Sequence, residues 1–400
     1  MSKRQVIILW SIAAVLALVV LAVKLGQGDP AQVATKREPG QTLFEFFPAK
    51  DITRVVIEGA KESVTLQKDG ETWLVKERDN YPGDTIAVLD LIRSINDLEI
   101  IRAIEAGPSL APRFGMDTET DSPEERGLEI GFFGKEGELA RVSLGKSIEL
   151  SSSGNIPGAT MMVGRYLRNH ADETGFYAGT EMFSSVNADA KNWLRDTFIS
   201  PEKIESIEVT KPDSPEIEWH LKRESEEASF QVVGGKPNEV ANSNLSNRLG
   251  GLFSYARFED VIPKDKVEKL GSEKGRIKAT IKTFEGFTYG LQLVPSADNG
   301  QQYLLQVKVE ASLPDQRKKA EGESAENSAK LDKAFAERRQ ILQEKLGEAK
   351  FFEGRTYLMG KSNVDLLLHN RGEMVVSVEP PKPAEGEAQP PEMLTVPQEP

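Results

Sequence analysis

Two Gly-Lys-Ser tripeptides, at residues 145–147 and 360–362, match the end of a phosphate-binding P-loop. A P-loop cradles phosphate oxygens with backbone N–H groups, and it needs another glycine five residues before the glycine of the tripeptide. Those two positions hold Ala140 and Arg355. Each tripeptide follows a predicted strand and opens no predicted helix, so we interpret both as turns rather than as nucleotide sites.

Five carboxylates are crowded into residues 117–125, where oxygen ligands could hold a hard cation. They are Asp117, Glu119, Asp121, Glu124 and Glu125. A helix–loop–helix calcium site needs glycine at its sixth position and glutamate at its twelfth, and this chain has Ser122 and Leu128 there. We interpret the segment as a solvated run of charge, with a weak cation site as the alternative.

Side chains for nucleophilic or zinc chemistry are scarce. The chain has no cysteine, and its three histidines, His170, His220 and His369, stand far apart with no second histidine at ligand spacing. The zinc-hydrolase pattern His-Glu-x-x-His and the nucleophile pattern Gly-x-Ser-x-Gly do not occur. We therefore predict a protein that is not an enzyme, and we assign no catalytic, cofactor-binding or metal-binding residue. Two carboxylates brought together by folding remain the alternative acid and base.

The N-terminal run at residues 6–23 contains eighteen residues and no charge. As a helix it would reach roughly 27 Å, close to the hydrocarbon thickness of a bilayer. Secretory signals have shorter apolar regions and a small-residue cleavage site, so we favour an uncleaved signal anchor over a cleaved signal. Residues 1–5, with Lys3 and Arg4, are then a cytoplasmic head, 6–23 a transmembrane anchor and 24–42 a stalk.

The whole chain has 400 residues and a net charge of −13 at pH 7. An acidic protein of this kind is a poor match for nucleic acid or for anionic lipid surfaces. The absence of cysteine removes disulfides and thiolate sites from a protein that we expect outside the cytoplasm. The length is sufficient for two hydrophobic cores.

Strand-like segments recur in the same order in two halves of the chain, residues 43–201 and 202–378. In each half, three alternating segments precede a helical stripe and further strands follow it. We predict two tandem copies of one strand-rich α+β unit, with a chance match of strand-rich segments as the alternative. The stripe of the first helix, at 85–98, consists of Ile86, Leu89, Ile92 and Ile95, with Val88 and Leu91 beside it.

The second half contains a helical segment that the first half lacks, within residues 313–350. Four apolar residues and one arginine recur there at helical spacing: Leu331, Phe335, Arg338, Leu342 and Leu346. Because a lone helix of this length is marginal in water, its apolar face must be buried. We predict that these residues dock a partner or pack on their own domain. The proline-rich residues 379–400 have little to bury, and we predict a disordered tail.

Four features of the first half are a strand tryptophan, a leucine-striped helix, an Arg-Phe-Gly turn and a short closing helix with Leu-Arg. They lie at Trp73, 86–98, 113–116 and 193–196. In these features the chain resembles the bacterial family called domain of unknown function 4340. The resemblance covers most of 43–200, and a degenerate second copy covers much of 202–378, where Leu270-Gly271 replaces Phe114-Gly115. It implies a membrane-anchored accessory protein, of a kind often encoded beside ABC-type transport components linked to gliding motility, and it supplies no catalytic residue.

These features predict an N-terminal transmembrane helix followed by two tandem strand-rich α+β domains, with a helical insertion in the second. We expect a non-enzymatic binding or scaffold protein, an accessory of an ABC-type transport complex, in the bacterial cytoplasmic (inner) membrane. Most of the chain would be periplasmic, with membrane-protein partners and no nucleic acid. A cell-envelope glycan or polymer module is the alternative, favoured by exposed aromatic side chains along one groove. A hydrolase is the third reading, favoured by a pocket with two carboxylates of perturbed pKa.

Overall fold

A computed structural model describes residues 35–151, 160–172, 175–272, 274–297, 300–319 and 323–378. This part of the chain is rich in strand, and its three sheets are antiparallel. The chain divides into two compact units. The first unit takes in the described residues that fall between 35 and 197, with 260–264, and the second takes in those that fall between 198 and 259 and between 265 and 378.

The predicted fold class is wrong in its transmembrane element. No helix within the described ranges is both long and apolar enough to cross a membrane. The longest, Ala325–Lys350, carries charged side chains along its whole length, and charged groups in hydrocarbon are costly in free energy. The structure instead supports a sheet-rich fold with three antiparallel sheets. The predicted head 1–5, the run 6–23 and the tail 379–400 lie outside the described residues.

Among the described residues between 35 and 197, the first unit has nine strands and two α-helices. The strands are β1 (Arg54–Glu58), β2 (Ser63–Asp69), β3 (Thr72–Val75), β4 (Tyr81–Pro82), β5 (Ile100–Ile104), β6 (Leu128–Phe133), β7 (Glu138–Ser151), β8 (Thr160–Asn169) and β9 (Phe176–Gly179). The helices are α1 (Thr85–Asn96) and α2 (Pro123–Arg126). The sheet order is β4-β3-β2-β1-β6-β7-β8-β9-β5.

The described residues of the second unit form a sheet, a small two-stranded ribbon and five α-helices. Its strands are β10 (Ile204–Thr210), β11 (Ile217–Lys222), β12 (Gln231–Val232), β13 (Glu239–Ala241), β15 (Ile277–Thr283), β16 (Phe287–Pro295), β17 (Gln302–Ala311), β18 (Thr356–Gly360) and β19 (Val375–Ser377). β14 (Asp260–Ile262) lies in the segment that groups with the first unit. The helices are α3 (Ser243–Leu249), α4 (Val267–Leu270), α5 (Ala325–Lys350), α6 (Lys361–Leu368) and α7 (Arg371–Met374).

Seven strands follow the same spatial order in the two units. In the first unit the order is β3-β2-β1-β6-β7-β8-β9, and in the second it is β12-β11-β10-β15-β16-β17-β18. In each unit three consecutive strands form one side of the sheet, β1 to β3 or β10 to β12. The next strand of the order, β6 or β15, pairs with the free edge of β1 or β10, and the remaining strands follow from there. A helix, α1 or α3, interrupts the chain at the same point. The predicted domain boundaries and the superposition of the two copies stay predictions.

Helix α1 begins because the Asp84 carboxylate accepts hydrogen bonds from the N–H groups of Ile86 and Ala87, which caps its first turn. Its buried side chains are Val88, Leu91, Ile92 and Ile95. The predicted stripe was wrong about Ile86 and Leu89, which are 73% and 50% exposed. At about 100° per residue, Ile86 lies roughly half a turn from the centre of the buried face. The helix therefore carries two exposed apolar side chains outside its core face.

The described end of the predicted stalk pairs with strand β5. The Gly40 N–H donates to the Ile100 carbonyl at 2.7 Å, and the Ile100 N–H donates to the Gln41 carbonyl at 2.9 Å. Thr42 adds an isolated bridge to Glu99. Backbone hydrogen bonds thus hold residues 40–42 against the first unit.

Candidate functional site

The predicted docking residues lie on α5, whose first turn is capped by the Ser324 hydroxyl accepting from the Asn327 N–H. Phe335, Leu342 and Leu346 are half-buried, whereas Leu331 and Arg338 are exposed. Ala349 is the one buried residue of this fully described helix. Hence the structure brings the three half-buried residues onto one face and places the other two at its margin.

Ion pairs attach α5 to its own unit. The Lys345 ammonium bonds the Glu285 carboxylate at 2.7 Å and that of Glu202 at 2.8 Å. Arg338 lies 3.9 Å from the same Glu285. Burial tends to raise the pKa of Glu285, but the hydrogen bond and charge of Lys345 outweigh it, so the pKa is lowered. Ion pairs as well as half-buried apolar side chains therefore hold the helix on its own unit.

The two Gly-Lys-Ser tripeptides have different structural contexts, and neither is the predicted turn. Residues 145–147 lie inside β7, where Gly145 packs against the backbone of Phe114. Gly360 ends β18 and precedes α6, so the second tripeptide does open a helix, contrary to the prediction. Residues 145–147 pair only with β8, across a register shift between Leu144 and Ser147, and they do not lie between a strand and a helix as a P-loop does. The second tripeptide still lacks the P-loop's first glycine.

The acidic segment 117–125 is organised by its own hydrogen bonds. The Asp117 carboxylate accepts from the Glu119 N–H at 3.0 Å, and the Arg126 guanidinium donates to the Thr118 carbonyl at 2.9 Å. Within the part of the chain that the structure describes, no group of three or more His, Asp or Glu residues could hold a metal ion.

A serine–histidine contact in the first unit escaped the sequence analysis. The hydroxyl of Ser143, which is buried on β7, lies 2.7 Å from Nε2 of His170. Such a pair can activate a nucleophile when a third group orients the histidine. The nearby carboxylates of Glu129 and Glu138 are instead paired with Arg141. The alternating pattern of β7 does not set Ser143 apart from its neighbours in the sequence. A separation of 27 residues between Ser143 and His170 matches no catalytic motif.

We expect acid to destabilise the protein through His170. Burial, followed by the positive charge of Arg168, lowers the pKa of His170, so the folded state favours the neutral imidazole. Between the lowered pKa and the usual value near 6.5, the unfolded chain binds more protons, so stability falls as the pH falls. The slope is at most about 1.4 kcal/mol per pH unit for one group.

Urea unfolding between pH 7.5 and 5 measures this dependence. His170→Gln should reduce the loss of stability at acid pH. Burial also lowers the pKa of His220, so the double change of both histidines should flatten the profile further. An unchanged profile in His170→Gln would contradict the assignment.

A groove runs over β15, β16 and β17 of the second unit, on the side of the sheet that carries exposed Lys278 rather than buried Ile277. Three adjoining cavities of about 430, 420 and 300 Å³ form it. The first and second share Gln292 and Gln306, and the second and third share Lys278. No aromatic side chain lines these three cavities, so the groove does not meet the aromatic criterion for a glycan module. We refer to it as the sheet groove.

Comparisons with known proteins leave the family open. No family model matches this chain, and no curated protein or solved structure matches it either. The resemblance to the domain of unknown function 4340 family therefore stays a prediction.

Proposed function

We propose that this protein is a non-enzymatic scaffold that acts outside the cytoplasm, at the bacterial cytoplasmic membrane, as an accessory of an ABC-type transport complex of the gliding-motility kind. The uncharged run at 6–23 and the basic residues before it support the location. The resemblance of the first half supports the transport partner.

Helix α5 is the observation that carries the scaffold role. The two sheets share a seven-strand order, so the first unit builds that order without a counterpart of this 26-residue helix. Ala349 is its one buried residue, which means that most of its surface is open to contact. An element that the sheet does not require, and that its own unit covers only in part, is a suitable docking surface.

The exposed flank of α5 defines where a partner would bind. Leu331 is 40% exposed and Ile341 is 63% exposed. Leu331, Arg338 and Ile341 lie along one side of the half-buried face. Arg338 follows Leu331 by seven residues and Ile341 follows it by ten, so the three side chains point within a quarter turn of one another about the helix axis. The proposal is that a membrane-protein partner covers this flank while the ion pairs at Glu285 keep the helix on its own unit.

Leu331→Asp should reduce recovery of the transport-complex subunits at least about tenfold, because a buried charge at an interface is costly. Its melting curve should match that of the unaltered protein, since surface changes usually stay within about 0.5 kcal/mol. The measurement is affinity purification from gently solubilised membranes, with the recovered proteins identified by mass.

Two further variants control this experiment. Lys333→Asp introduces the same carboxylate at a position whose side chain is 80% exposed and should leave recovery unchanged. Phe335→Asp tests the half-buried face, and loss of about 2–5 kcal/mol of stability would indicate internal packing there. Recovery of no ATPase or permease subunit with the unaltered protein, or equal recovery with Leu331→Asp, would refute the proposal.

A further inference from the structure

The floor of the sheet groove is open at its centre. Two neighbouring cross-strand rows form it: Lys278, Gln292 and Gln306, then Thr280, Gly290 and Lys308. Gly290 has no side chain, and a Cβ atom there would meet nothing nearer than Lys308 Cβ at 3.8 Å. A ligand can therefore approach the backbone between the longer side chains.

The lining carries an excess of positive charge in a chain whose net charge is −13. Its cations are Arg276, Lys278, Lys308 and Arg355. Its carboxylates are Glu268 and Asp213. The Asp213 oxygens already accept the N–H groups of Gly275 at 2.6 Å and Arg276 at 2.9 Å. The groove therefore attracts anions although the protein as a whole repels them.

The two lysines of the floor are available to a ligand. Lys278 is exposed and makes no ion pair with any residue that the structure describes. Lys308 pairs with Glu310 at 2.7 Å, but both side chains are largely exposed. Such a surface pair contributes little to stability in water, so an incoming anion can replace Glu310.

The spacing of these lysines selects a ligand with several anionic groups. Lys278 and Lys308 lie two strands and two residues apart. At about 4.8 Å per strand and 3.4 Å per residue, their Cα atoms are roughly 12 Å apart. One small anion cannot contact both ammonium groups when they extend over opposite sides of Gly290, whereas a chain with repeated charges can.

A sheet face favours a sugar chain over a peptide. The backbone N–H and C=O groups of β15, β16 and β17 are used in the sheet, so they cannot pair with an extended peptide. The face offers side-chain amides and hydroxyls, from Gln292, Gln306 and Thr280, which suit sugar hydroxyls. Lysine and arginine suit carboxylate or phosphate substituents.

We propose that the sheet groove binds an acidic polysaccharide, a sugar chain that carries carboxylate or phosphate groups. Recognition rests on charge and hydrogen bonds rather than on ring stacking. This site is independent of the docking flank on α5, so either proposal can fail without the other.

Calorimetric titration of the full-length protein with polygalacturonate, phosphorylated dextran and neutral dextran tests the proposal. We expect binding of at least one charged polymer, no binding of neutral dextran and weaker binding as salt rises. The two charged polymers show whether carboxylate or phosphate is preferred. The double variant Lys278→Gln with Lys308→Gln should bind at least about tenfold more weakly, as expected for loss of charge-assisted hydrogen bonds.

Matched variants separate the groove from general charge effects. Lys222→Gln with Lys236→Gln removes two exposed lysines that do not line the cavities, and binding should change less than about twofold. Gly290→Leu fills the floor and should abolish binding with an unchanged melting curve. The proposal is overturned if neither charged polymer binds, if neutral dextran binds equally, or if the two double variants lose affinity alike. Equal binding of polyglutamate would assign the groove to acidic peptides and would also overturn it.

Discussion

Gly145→Ala should lower the free energy of unfolding of the first unit by about 3 kcal/mol, the upper part of the range for overpacking a core. An added Cβ would overlap the carbonyl oxygen of Phe114 and lie 2.8 Å from Cε of Met116. The φ angle of Gly145 is not positive, so alanine meets no left-handed backbone strain there. The loss arises from the close approach of residues 113–116 to β7. Urea unfolding at neutral pH measures it.

Gly290→Ala is the matched control, because it places the same methyl group at another strand glycine. Its Cβ would find only ordinary contact distances, and glycine inside a strand is itself unfavourable by about 0.5–1 kcal/mol. The variant should be as stable as the unaltered protein or slightly more so. If the Gly145 and Gly290 variants unfold alike, the close packing of residues 113–116 on β7 is refuted.

Arg78→Ala should destabilise the first unit by about 3–5 kcal/mol, since removal of one partner leaves a shielded charge without compensation. The guanidinium bonds both oxygens of Asp260, at 2.6 and 2.9 Å, and both side chains are 14% exposed. Burial alone would lower the pKa of Arg78, but the hydrogen bonds and charge of Asp260 raise it above its ordinary value. The contacts with Asp260 therefore favour the charged form of the Arg78 guanidinium.

A double-mutant cycle with Asp260→Ala measures the pair itself, with an expected coupling of about 1–3 kcal/mol. Arg93→Ala is a fitting control, because Arg93 also pairs with an aspartate but is 71% exposed. That variant should lose less than about 1 kcal/mol. Equal effects of the two arginine changes would show that the shielding of Arg78 is unimportant.

Local patterns in the sequence predict many of the elements. The alternating segments at 64–68 and 72–76 fall on β2 and β3, and the helical segment near 326–350 falls on α5. These elements are predictable because side chains alternate along a strand and recur about every 3.6 residues along a helix, whatever the rest of the chain does.

Contacts across the sheet could not be predicted in the same way. Ser143 meets His170 because β7 and β8 pair in a particular register, and Gly145 meets Phe114 because residues 113–116 pack on β7. The sheet groove depends in the same way on the pairing that sets Gly290 beside Lys308. A shift of one residue in register moves a side chain to the other face of a sheet.

By itself, the sequence of this protein determined where many of the strands and helices form, the acidic charge and the lack of cysteine chemistry. The tertiary structure decided which apolar residues are buried, as the exposed Ile86 shows, and which polar residues share a site. The physical reason is the separation along the chain over which each effect acts. Hydrophobic periodicity acts between residues a few positions apart, whereas burial and site geometry depend on strand order and register between segments far apart in the chain.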